Sequence, residues 1–358
     1  MSIIEINGSV LEGGGQILRN ALSLSCILRR PVHITNIRAN RPKPGLSNQH
    51  LHGLNLLAAI TKANVIGNFL GSTDVKFYPG DIQSGQYQVD TQTAASISLI
   101  LQAVVPVLIF GSSTTQLTIK GGTNVAMAPQ VDFITEILRP NMEYFGISYD
   151  FDLIKRGYYP RGGGWCNVTI PCIRHIKATN LTQFGKVEKI SGWCYVAGRL
   201  PHRLAVDIKT GAERILNDLQ MCKYIDIEAY KEHPDITTEN GAGVVLKVET
   251  SSGCVLGASA LGEKKIDGQV LGMTAGSELQ NYILKHTCVD QYVQDQLIIY
   301  MALADGISEI LTCCITNHTQ TAIYIMELML NIKFKITKIS DSHVIISCKG
   351  IGHRNQYI

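Results

Sequence analysis

The sequence predicts an α/β protein of the α+β type: three repeated βαβαββ units packed together, with a smaller α/β insert domain between the second and third units. Three observations predict it. Apolar residues switch between period 2 and period 3.6 in the same strand-helix-strand-helix-strand-strand order in two successive stretches. That order returns near the C-terminus, and the stretch between follows a different pattern. Copies about 85 residues long are too large for a solenoid repeat, so each is a packing unit of its own. The expected division is a core at residues 1–182, holding units one and two and the start of three, an insert at 183–286, and the remainder of the core at 287–358.

Taken in order, Ile3 to Asn7 alternates as a strand, Gly15 to Leu28 carries helical periodicity and Val32 to Ile37 is a second strand. Asn48 to Lys62 is a second helix, and Val65 to Tyr78 holds two strands around the Gly71-Ser72 turn. The second unit runs through strand Gln86–Val89, helix Ala94–Phe110, strand Gln116–Ile119, helix Gln130–Phe145, and strands across Ile147–Leu153 and Trp165–Ile170. In the third, helix Tyr292–Ala304, strand Glu309–Ile315, helix Ala322–Leu330 and strands Phe334–Ile339 and His343–Cys348 are present. Its opening strand must therefore precede the insert. Within the insert, strand Val187–Val196, helix Arg203–Asp218, strands Tyr224–Tyr230, Val244–Glu249 and Cys254–Ala260, and helix Gln269–Lys285 are expected.

A chain of 358 residues, 45% hydrophobic, can bury a full core. A net charge of +3 is too small for a protein that coats polyanions, so nucleic-acid contact should be local, at an end or a phosphate. Ten cysteines lack C-x-x-C spacing and the start MSIIEINGSVLEGGG is no signal peptide. Reduced thiols in a nuclear or cytoplasmic compartment, not secretion, are expected. Ala94 to Phe110 is apolar enough to invite a membrane reading. Gln102 and Pro106 at its centre, and the absence of flanking Lys or Arg, make it a buried core helix.

The chemistry concentrates at Glu12 to Leu54. Gly13-Gly14-Gly15 opens a helix whose first N–H groups are free to face an anion. Arg19, Arg38, Arg41 and His50 lie on connected elements, interleaved with Gly, Pro and Gln rather than with helically spaced Glu. That favours a terminal-phosphate site over a solvated basic face, since forked guanidiniums suit a phosphate. Glu12 is either a helix-dipole partner or a carboxylate for a hard divalent cation. The glycines match neither G-x-x-x-x-G-K-[ST] nor G-x-G-x-x-G.

Four later features carry weaker signals. His318, in Thr316-Asn317-His318-Thr319-Gln320-Thr321, is placed at a strand end, as a catalytic imidazole or a capping histidine. Tyr292, Asp295 and Gln296 share a helix face that suits a purine or a capped first turn. Arg156 to Gly164, RGYYPRGGG, is a glycine-rich corner whose arginines meet RNA phosphate or merely form a tight turn. Lys265-Ile266-Asp267-Gly268 spells the lysine-nucleophile string of nucleic-acid ligases, without the strands that such a core needs after it.

Together, EGGGQILR, RANRPKPGLSNQHL, KGGTNVAMAPQVDF, RGYYPRGGG, YVQDQL and TNHTQTA resemble the RNA 3′-terminal phosphate cyclase family over essentially the whole chain. The resemblance implies an ATP-dependent ligase of RNA processing that converts a 3′-terminal phosphate to a 2′,3′-cyclic phosphodiester by adenylylation. It implies ATP and a divalent metal (Mg2+ or Mn2+) as cofactors, and RNA with a 3′-terminal phosphate as partner. By the same resemblance His318 is the nucleophile that takes AMP, and Glu12 serves the metal. Arg19, Arg38, Arg41, Gln49 and His50 hold the RNA 3′-phosphate, and Gln16, Gln102, Pro129, Tyr292, Asp295 and Gln296, with His318, frame the nucleotide. Two departures stand out. Asn40 replaces the family's glycine in Arg38-Ala39-Asn40-Arg41 and is expected to supply left-handed backbone, and Trp165-Cys166 follows the triple glycine. The competing reading is a catalytically inactive cyclase-like factor in ribosome or RNA maturation; His318 and the three arginines favour the enzyme.

Overall fold

The computed structural model describes residues 2–219, 224–237 and 239–358. Unit one comprises β1 (Ile4–Asn7), α1 (Gly15–Leu28), β2 (Val32–Thr35), α2 (Asn48–Thr61), β3 (Asn64–Ile66) and β4 (Val75–Tyr78). Its sheet order is β1-β2-β4-β3, with β1 parallel to β2 and the other pairs antiparallel. Unit two repeats this with β5 (Gln86–Asp90), α3 (Ile97–Leu108), β6 (Thr115–Gly121), a helical run, β7 (Asp150–Lys155) and β8 (Gly164–Ile170), in order β5-β6-β8-β7. The helical run is α4 (Val131–Phe133), a π-helical stretch Ile134–Leu138 and α5 (Arg139–Glu143).

The third copy opens with a strand of two residues, β9 (Asn180–Leu181). The chain then departs through β10 (Val187–Ala197), α6 (His202–Leu216), β11 (Ile225–Lys231), β12 (Gly241–Thr250), β13 (Val255–Leu261) and α7 (Gly268–Leu284), which form a sheet of order β11-β10-β12-β13 with both helices packed on it. It returns as α8 (Gln294–Leu303), β14 (Ile307–Thr312), α9 (Asn317–Leu330), β15 (Phe334–Ser340) and β16 (His343–Lys349). There β14 pairs in parallel with β9, so the third sheet, β15-β16-β14-β9, has the connectivity of the first two.

Local chemistry explains the site-bearing elements. α1 is preceded at its N-cap by Gly14, which offers no capping side chain and leaves the first N–H groups to the space in front of the helix. α2 is closed by Ser47, whose Oγ lies 2.8 Å from His50 Nδ1 while its N–H donates to the same nitrogen, fixing the ring. α3 is buried along nearly its whole length against α1 and α2. Each of its enclosed Ile, Leu and Val side chains contributes about 1.5–3 kcal/mol of transfer free energy. Among the described residues no helix is long and apolar enough to cross a membrane.

Two expectations need correction. Helix α9 starts at Asn317, not at Ala322, because Thr316 caps it by accepting from Thr319 N–H at 3.1 Å. His318 therefore lies in the first turn of a helix, beyond the end of β14 at Thr312. Left-handed backbone falls at Asn36 (φ 51°) and Arg38 (φ 53°), not at Asn40. The Arg156–Gly164 corner resolves toward structure at its first arginine. Arg156 is buried, bidentate to Asp132 (2.6 and 2.8 Å) and paired through Nε with Glu232, so it joins α4 to the inserted sheet. Of that corner's two arginines, Arg161 is the exposed one.

Candidate active site

The triple glycine makes a cradle. Glu12 folds its carboxylate over Gly14, and a Cβ on Gly14 would overlap it. A Cβ on Gly15 would overlap His50 Nε2 and Arg19 Nη1, so both donors point into the hollow at the start of α1. Only glycine leaves that space open.

Around this cradle the structure gathers residues from all three units. Arg41 Nη2 donates to Glu12 Oε1 at 2.5 Å, and His318 Nδ1 stands 3.6 Å from Glu12 Oε2. That oxygen is buried and has no hydrogen-bond partner among the described residues. The Glu12 N–H donates to Thr321 Oγ1 at 3.3 Å, tying the glycine turn to α9. Gln16 is a buried hub: its Oε1 accepts from Arg19 (2.8 Å) and Gln102 (3.3 Å), and its Nε2 donates to Asp295 (2.8 Å). The isolated glutamine of apolar α3 thus has a partner. Gln49 lines a small cavity with Arg19 and His50, and Arg38 Nη1 donates to Gly45 O at 2.7 Å.

Pro129 and Tyr292 stand outside that hydrogen-bonded cluster. The Pro129 carbonyl accepts from Ser98 Oγ at 2.6 Å. Tyr292 is half-exposed, with its ring edge on Phe133 at 5.9 Å, and its carbonyl accepts from Gln296 Nε2. Lys265 sits in an exposed turn before α7, and Asp267 of the same string caps that helix. No group of three or more His, Cys, Asp or Glu suited to a metal ion occurs among the described residues.

The electrostatics are those of an anion site. Burial pulls the Arg19 guanidinium down to about 10 while Glu12 and Asp295 pull it up. Burial, then Arg19 and Arg38, lowers His50 to about 3, so its ring is neutral. Its Nδ1 accepts from Ser47 N–H, which places the proton on Nε2 as a donor into the cradle. Burial lifts Asp295 to about 6, against His318 and Arg19. The neighbouring Glu12 carboxylate raises His318 above the ordinary histidine value, against partial burial.

The RNA 3′-terminal phosphate cyclase family model matches residues 10–336. This chain belongs to that family. It is 49% identical over 356 residues to the RNA 3′-terminal phosphate cyclase of Drosophila melanogaster, covering 99% of both chains. Relatives of the same name from Pyrobaculum aerophilum and Methanopyrus kandleri are 37% and 36% identical. The first alignment covers 98% of this chain and 99% of its relative, and the second 94% and 96%.

Sequence reasoning missed Ser47 and Thr321, which orient His50 and Glu12. Ser47-x-x-His50 has capping-box spacing with His in place of Glu, a readable signal. Thr321 gave none, because its contact spans 309 residues.

Proposed function

We propose that this protein uses ATP to convert an RNA 3′-terminal phosphate to a 2′,3′-cyclic phosphodiester, through a histidine–AMP adduct and an RNA-linked adenylate. The observation that carries the reading is the meeting of Glu12, Arg19, Arg41, His50 and His318 around Gly13–Gly15. With Nδ1 turned to Glu12, His318 keeps Nε2 as the attacking atom. Nε2 forms a bond to the α-phosphorus of ATP as the bond to pyrophosphate breaks. An oxygen of the RNA 3′-phosphate then displaces the imidazole, taking AMP. Finally the 2′-hydroxyl attacks the 3′-phosphorus, loses its proton, and AMP leaves as the ring closes; this step requires the ribose 2′-OH.

Arg19, Arg38 and Arg41, with Gln49 and the His50 Nε2–H, suit the terminal phosphate and hold it in line. Gln16, Gln102, Pro129, Tyr292, Asp295 and Gln296 suit the nucleotide. For a divalent cation, Mg2+ or Mn2+, Glu12 Oε2 is buried, faces His318 Nδ1 at 3.6 Å and has no hydrogen bond among the described residues, so a lone pair remains for a ligand role. One carboxylate plus substrate phosphates matches the habit of such ions, which supply charge neutralisation on the phosphates. Free thiols at all nine described cysteines support a nuclear or cytoplasmic setting.

The test uses ATP labelled at the α-phosphate with Mg2+ or Mn2+. An acid-labile adduct, lost in His318→Ala and kept in Lys265→Ala, is expected. Absence of any adduct, with RNA binding retained, would favour a non-catalytic cyclase-like factor. Loss in Lys265→Ala alone would transfer the chemistry to the inserted sheet's turn.

A further inference from the structure

Beyond Arg156, buried polar side chains of the core reach the inserted sheet. Gln130, next to Pro129, has its carboxamide fully occupied. Its Nε2 donates to the carbonyls of Val244 (3.2 Å) and Ala260 (3.3 Å), and its Oε1 accepts from the Tyr195 hydroxyl (2.7 Å) and Asn124 Nδ2 (2.9 Å). Asn141 of α5 donates to the Val255 carbonyl at 2.8 Å. Asp290, two residues before Tyr292, accepts from Gly257 N–H with one oxygen (3.0 Å) and from the N–H groups of Tyr292 and Val293 with the other (both 2.9 Å).

The Asp290 connection ends on Gly257 of β13. Its N–H is held by Asp290, and its missing side chain is replaced by the core: a Cβ there would lie 2.6 Å from Ile137 and 2.8 Å from Phe133. Phe133 in turn supports the Tyr292 ring edge-on. One residue of the inserted sheet therefore touches both the segment that follows Pro129 and the segment that leads into Tyr292.

We infer that the inserted sheet sets the separation of the two walls of the nucleotide cleft, with Asp290 and Gly257 as positioning residues that act through Tyr292 and Phe133. The inference rests on the reading of Pro129 and Tyr292 as those walls. It gives the insert a task in ATP recognition, separate from the RNA-phosphate cradle at Gly15. A site whose supporting contacts are lost loosens without losing its chemical groups, so affinity falls before catalysis does.

Equilibrium dissociation constants for ATP and for a dinucleotide 3′-phosphate test this on the full chain. Asp290→Asn keeps one acceptor oxygen but sets an NH2 donor against either the Gly257 N–H or the N–H pair of Tyr292 and Val293. It should weaken ATP about tenfold while dinucleotide affinity stays within about twofold and kcat at saturating ATP holds. Gly257→Ala, whose backbone any residue adopts, should do the same by pushing Phe133, and serves if Asp290→Asn does not fold. ATP affinity at the wild-type level in both variants, or parallel loss of both ligands, would overturn the proposal. Failure of the wild type to form an AMP adduct would strike the proposed reaction and leave this binding test standing, since it requires no chemistry.

Discussion

Gly15 and His50 share one space: the hydrogen that serves as the glycine's side chain faces His50 Nε2, with Arg19 Nη1 beside it. Gly15→Ala should cut cyclisation of 3′-phosphate RNA by about 10–100-fold, because a displaced donor in a phosphate site costs about that much. Gly15 opens α1 with ordinary helical backbone, where Ala is the better helix former, but its Cβ would displace the buried His50 ring, so stability should also fall, by about 1–3 kcal/mol. Cyclisation rates alongside thermal melting separate the two effects.

Arg41 has a different partner. Arg41→Ala removes the 2.5 Å bond to Glu12 and one phosphate donor. It should spare self-adenylylation yet slow cyclisation by about 10²-fold, the scale for losing a transition-state charge contact. Single-turnover measurement of each step is the check, and equal loss in both would count against the assigned phosphate site.

The pH dependence of self-adenylylation follows from His318. Its imidazole must be neutral to attack, and Glu12 raises its affinity for a proton. The rate should therefore climb with pH, with an acid limb centred above 6.5, the ordinary value for histidine. Glu12→Gln, assayed at saturating metal, should move that limb to lower pH while lowering the maximum.

His50 controls a pH dependence of folding. It is held neutral, with its value depressed to about 3 by burial first and then by Arg19 and Arg38. The unfolded chain takes up a proton near pH 6.5 and the folded chain does not. Stability is thus complete above that pH and falls as pH drops toward 3, by up to about 1.4 kcal/mol per unit. Denaturant titrations of His50→Gln across this window should show a shallower slope than the wild type.

The repeated unit was legible because the period of its apolar residues changes with each element, as in the run from Gly15 through Val32 to Asn48. The need for a third opening strand before the insert followed from the same pattern, and β9 pairs with β14 there. The two-residue length of β9 was not legible, since so short a strand has no period. Arg38's left-handed backbone was missed because propensity points to the neighbouring Asn40, whereas Gly45 N–H bonds to Ile37 O and the Arg38 side chain to Gly45 O, closing the loop otherwise. The cradle residues could be named from sequence, but Gln16's three partners come from α1, α3 and α8. No local spacing encodes that meeting.

The pairing of β9 with β14 also imposes an order of assembly. A nascent chain that has emerged as far as α7 carries Asn180–Leu181 with no neighbour, because the strand that will cover it begins at Ile307. Until the last fifty or so residues arrive, the third sheet is an unclosed edge, and unclosed edges recruit foreign strands. Fragments ended before Ile307 should therefore aggregate even with the first two units complete, and the histidine turn joins the molecule only when its final sheet shuts.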